Sequence, residues 1–253
     1  MNRPDISIRN CGLFYTTFMF DSLGRVKAQK KELRSFLLFC GFIALFLYVL
    51  SPAHRTDFSL SSGECAELNV LWQSKYQNDF KFDETLRFDT FECETSNARL
   101  VHAIFMIDKM ATEAESFDFY DWMKRVNPTV SQRLMFGYSG VSYFKKHQID
   151  INIDKLRTSN PVEIAGILIH ETRHIEQGYN SHVPCRTDQT RQCDVRLEAD
   201  PLAGGAYSYD ALFYNQIMKD ANSTRSMKYA ASKLLKSTFE TKFNESVTKD
   251  RFK

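Results

Sequence analysis

The sequence predicts an α+β domain carried outside the cytoplasm behind one N-terminal membrane-spanning helix, and three observations predict it. Residues 36–50 read FLLFCGFIALFLYVL, apolar at every position but one glycine. Downstream, apolar residues recur three and four apart in some segments and alternate strictly in others, so helices and strands are mixed along the chain. One helical segment, 161–177, carries two histidines and a glutamate in the order HExxH. At 253 residues, 43% hydrophobic and 13% aromatic, the chain can bury a core, which excludes a disordered or collagen-like protein. A net charge of +2 argues against a nucleic-acid partner held by a broad basic surface.

Residues 1–34 carry seven Lys/Arg against three acids, a bias that keeps this segment cytoplasmic. No charged residue falls between Arg34 and Arg55. As a helix, residues 35–53 reach about 28 Å, close to a hydrocarbon core of about 30 Å. They read as a transmembrane signal-anchor; Ser51-Pro52-Ala53 also loosely fits the cleavage site of a signal peptide. Under both readings the remainder is periplasmic or extracellular. Residues 54–63 are polar and predict a linker, leaving 64–253 as the exported domain. Its four cysteines, Cys65, Cys93, Cys185 and Cys193, suggest two disulfides in an oxidising compartment. Three pairings are open. Cys65–Cys93 with Cys185–Cys193 is favoured, because the second bridge closes a short polar loop.

Within the domain the spacing predicts helices over 64–80 and 97–115, with Ser96 or Asn97 as the second one's cap, and a strand over the alternating LRFDTFEC between them. A short helix over 117–126 ends at Asn127-Pro128. Residues 140–154, with Ile149, Ile151 and Ile153 in alternation, predict a strand. Helices follow at 161–177, 201–220 and 226–244.

The segment NPVEIAGILIHETRHIEQG is bounded by Ser159 or Asn160 as cap, Pro161 at the first helical position and Gly178 just past the end. His170 and His174 lie four apart, hence on one helical face where both imidazoles can bind one Zn²⁺, with Glu171 placed to reach a metal-bound water.

These residues resemble the zincin metallopeptidases, whose members place an edge strand before an HExxH helix. The resemblance covers about residues 140–220. The chain does not resemble the HExxHxxGxxH branch, since its glycine, Gly178, falls one place late and position 180 is Asn, whereas the gluzincin branch, which takes a glutamate from a downstream helix, fits better. On that resemblance Glu198, in LEADPLA, is the implied third ligand, ahead of Asp194, Asp200 and His182. Asp200 is implied as an acceptor for a ligand histidine or as the ligand itself, and Tyr207, Tyr209 and His182 as donors to the oxyanion. Asp194 beside Cys193 is expected to face its loop, and His182 would need the chain to fold straight back along the helix. The resemblance implies a zincin-like, zinc-dependent peptidase acting on a peptide or protein substrate, anchored through residues 35–53. The alternative is a membrane-anchored binding or scaffold domain whose HExxH helix is structural.

Overall fold

Ser61 opens the first helix of the domain: its hydroxyl accepts from the Glu64 amide, and the Glu64 carboxylate returns to the Ser61 amide, a reciprocal cap. The computed structural model describes Phe39 and residues 58–110, 117–178, 182–195 and 203–244. The predicted anchor, Phe39 apart, lies outside the described residues, as do Glu198 and Asp200. Among the described residues no helix is long and apolar enough to cross a membrane.

The chain folds as α+β. Helix α1, Ser62–Leu71, continues through a π-helical turn, Trp72–Tyr76, to Asp79. Phe58 and Leu60, within the segment expected to be a linker, pack on the core. Strand β1 is only Lys81–Phe82. The stretch LRFDTFEC is not a strand: its alternating residues instead turn inward from a loop, with Leu86 and Phe91 buried and Phe88 stacked on Trp72 at 4.3 Å. Periodicity reports which side chains turn inward, and a loop clamped by Cys65–Cys93 turns in Leu86, Phe88, Phe91 and Cys93 without the strict alternation of a strand.

Helix α2 is Ser96–Lys109, capped by Thr95, one residue before the predicted cap. Helix α3, Phe119–Val126, ends where Asn127 adopts φ 54°. Strand β2, Thr129–Arg133, lies parallel to β1. The single strand predicted over 140–154 is a hairpin: β3, Gly140–Tyr143, turns through His147 at φ 53° into β4, Gln148–Asn152, and the chain then enters helix α4, Ile153–Thr158. Sheet order is β1-β2-β4-β3, with β2 and β4 parallel and β3 antiparallel on the edge. The chain leaves β2 for the far edge, and β4 returns into the gap.

Helix α5, Pro161–Gln177, matches its predicted bounds: Asn160 caps the Glu163 amide at 3.0 Å, and Gly178 closes the other end at φ 71°, where a side chain would be strained. Val162, Ile164, Ala165, Leu168 and Ile169 are fully buried, so this helix is the spine of the core. It packs on α2, on the β3–β4 hairpin and on the last two helices, α6 (Ala206–Lys219) and α7 (Arg225–Thr241). A helix buried on so many sides holds its polar residues rigidly.

Candidate metal centre

His170 and His174 project from the same face of α5, and the turn at Gly178 allows the chain to return beside the helix. His182 thereby meets the pair, contrary to the expectation that such a reversal keeps it away. The three Nε2 atoms form a triangle: 3.0 Å from His170 to His182, 3.1 Å from His174 to His182 and 3.3 Å from His170 to His174. Together they could hold a metal ion.

Two carboxylates orient the rings. His170 Nδ1 lies 3.0 Å from Asp210 Oδ2, and His182 Nδ1 lies 2.9 Å from Asp194 Oδ1. An ionised carboxylate only accepts, so each Nδ1 is the donor and each ring turns its Nε2 to the centre, where it can offer a lone pair to a metal cation. Asp194 does not face its loop as expected. Its second oxygen accepts the Tyr207 amide at 3.0 Å, so one buried carboxylate both holds His182 and caps the start of α6. The backbone of Asp194 is fixed as well, its amide donating to the Lys242 carbonyl and its carbonyl accepting from Asn244.

Burial alone would push the His170 imidazole down, but the adjoining Asp210 carboxylate outweighs it and lifts the ring to about 9. His182 is lowered by burial despite Asp194. A triangle of inward nitrogens backed by two acids favours positive charge at its centre, whether a proton or a metal cation. Glu171 is raised by burial, with His170 and a hydrogen bond from Ser142 of β3 opposing the shift. Gly140 on the same strand allows this approach: a Cβ there would fall 2.8 Å from Ile167 Cγ2 and 3.0 Å from Glu171 Cγ.

The histidines and Glu171 line a cleft of about 820 Å³. Its lining includes β3 with Phe136, Tyr138 and Phe144, and also Arg191, Tyr207, Thr238 and Lys242. Tyr207 stacks on His182 at 4.4 Å and lies 4.6 Å from His170. Tyr209, the other tyrosine considered as an oxyanion donor, is instead buried against Trp122, Phe117 and Phe119, with the Arg173 guanidinium over its ring. Residues 207 and 209 face different sides of α6, and the helical period decides between them.

Sequence reasoning missed Asp210 and Lys242. Asp210 left a signal: it is an acid inside the apolar run YDALFY, three residues after Tyr207 and hence on its face. Lys242 left none, since a lysine at the end of an amphipathic helix reads as ordinary surface.

Both favoured disulfides are present, Cys65–Cys93 and Cys185–Cys193. The second joins the ends of the loop between His182 and Asp194, whose flanks pair antiparallel as β5 (Val183–Pro184) and β6 (Gln192–Cys193). Replacing Cys185 and Cys193 together by serine should therefore lower metal affinity about 10–100-fold, the cost of loosening a ligand's hydrogen-bond partner. The Cys65/Cys93 double variant should lose stability and keep its metal affinity, both read by titration against a chelating dye. Equal affinity losses in the two variants would contradict this assignment.

Comparison with protein-family models, with curated proteins and with solved structures finds no match to this chain.

Proposed function

We propose that this chain is a zinc-dependent peptidase of zincin type, with His170, His174 and His182 as the protein ligands. The observation that carries this reading is the triangle of Nε2 atoms with Glu171 beside it. Three nitrogens bonded to one tetrahedral zinc at about 2.0–2.1 Å stand about 3.3–3.4 Å apart, close to the spacings observed. Three neutral imidazoles also leave a fourth position open, the donor set of a catalytic rather than a closed structural site. Along the chain the order His, His, Gly, His is that of the HExxHxxGxxH branch, with one extra residue on each side of the glycine. That order supports His182 as third ligand in preference to Glu198.

Bound zinc supplies a Lewis acid and acidifies a water toward neutral pH. The chain's own groups do the rest. Asp210 and Asp194 keep two ligand rings in the required tautomer. Glu171, held by Ser142, takes a proton from the attacking water on its carboxylate and delivers it to the departing amine nitrogen. Its buried setting favours the protonated intermediate of that relay. Tyr207, on the wall beside His182, is placed to donate its hydroxyl to the oxygen on which negative charge develops.

The full chain purified without chelator should carry one zinc and cleave members of a peptide library read by mass spectrometry. Phenanthroline should stop cleavage, and added zinc should restore it. A metal content near zero would end this reading; one zinc with no cleavage of any peptide would favour the scaffold alternative.

A further inference from the structure

The cleft holds, beside Tyr207, a cation that the hydrolytic chemistry does not use. Lys242 follows the last turn of α7, and its backbone is pinned there by hydrogen bonds to Thr238 and Asp194. Its ammonium is half-buried, donates to the Tyr207 hydroxyl at 3.1 Å and lies 4.7 Å from that ring's centre. Among the described residues no carboxylate lies within 4.0 Å of it. Burial lowers the Lys242 ammonium, the Asp210 carboxylate opposes that shift from farther off, and Arg191, which lines the same cleft and is paired with Asp188 at 3.0 Å, adds a weaker repulsion. Holding a partly desolvated ammonium with one neutral acceptor and no carboxylate nearer than Asp210, beyond 4.0 Å, costs free energy that an anion joining it offsets. Its neighbour Tyr207 reaches to within 4.6 Å of the His170 ring, so an anion bound at Lys242 lies within a residue or two of the reacting carbonyl.

We infer that Lys242 forms an anion subsite for a carboxylate of the substrate. The same cleft is also lined by the aromatic side chains of Phe136, Tyr138 and Phe144. The preferred peptide therefore carries an apolar side chain together with a carboxylate near the scissile bond. Two sources share that chemistry, the C-terminal carboxylate of a peptide trimmed from its end and the side chain of an internal acid.

This inference rests on the hydrolase reading, and a binding measurement on the zinc-loaded Glu171→Gln chain separates the two. Three acetylated tripeptides serve as probes: Phe-Gly-Leu with a free carboxylate, Phe-Gly-Leu amide and Phe-Gly-Glu amide. A charge-assisted hydrogen bond should make a carboxylate probe bind about tenfold more tightly than the neutral amide. Preference for the first probe identifies a C-terminal carboxylate, and preference for the third an acidic side chain. Lys242→Met should bring the ratio to about one without changing zinc content, whereas Lys242→Arg should retain most of it. An unchanged ratio in Lys242→Met, or no binding advantage for either carboxylate in the parent, overturns the subsite while leaving the hydrolase reading intact. A chain without zinc fails the hydrolase reading whatever the anion does.

Discussion

His182→Ala should cost the protein its metal. Removing a hydrogen-bond partner of a ligand typically lowers affinity about 10–100-fold, and removing one of three protein ligands should exceed that range. The expected order is His182→Ala worst, then Asp194→Asn, with Glu198→Ala near the parent. Asp194→Asn carries a second cost, because the same carboxylate caps the Tyr207 amide at 3.0 Å, and weakening a helix cap costs about 0.5–2 kcal/mol. Zinc competition against a chelating dye, together with urea unfolding of each variant, separates lost affinity from lost stability. If Glu198→Ala emptied the site while His182→Ala retained zinc, the third ligand would return to the residue that the gluzincin resemblance implies.

Glu171→Gln should leave one zinc per chain and reduce kcat by about 10²–10⁴, the usual contribution of a positioned proton-transfer group. The amide keeps the shape of the carboxyl and can still bond Ser142, but it cannot accept the proton of the attacking water. The substitution tests chemistry with little change in packing, which matters because Glu171 is buried against Gly140 and Ile167. Loss of zinc in this variant would show that Glu171 supports the metal and would remove it from the proton relay.

The two predictions depend on different levels of information. Helix α5 was legible residue by residue, since a cap, a first-turn proline and a terminal glycine are local signals that no distant contact overrides. His170, Glu171 and His174 came with it, because a spacing of four on a helix fixes a shared face. The short bridge Cys185–Cys193 was legible because few residues separate its ends. Where burial alternates without a ladder of hydrogen bonds, as in LRFDTFEC, the pattern gave the right buried residues and the wrong backbone. In 140–154 the alternation at Ile149 and Ile151 was real, but the reversal at His147 uses a left-handed conformation that is uncommon outside glycine, and no glycine or Asn-Gly pair marks the turn.

The sequence by itself determined the α+β class, the HExxH helix with its ends and the four cysteines available to pair. Only the tertiary structure decided that His182 completes the triangle, that Asp194 and Asp210 hold its rings and that Lys242 faces the cleft. These residues come from a loop, a helix start and a helix end, brought together by the return of the chain after Gly178 and by the docking of Asp194 on residues 242–244. Contacts between segments so far apart in sequence follow from how the whole core packs, and no local spacing encodes them.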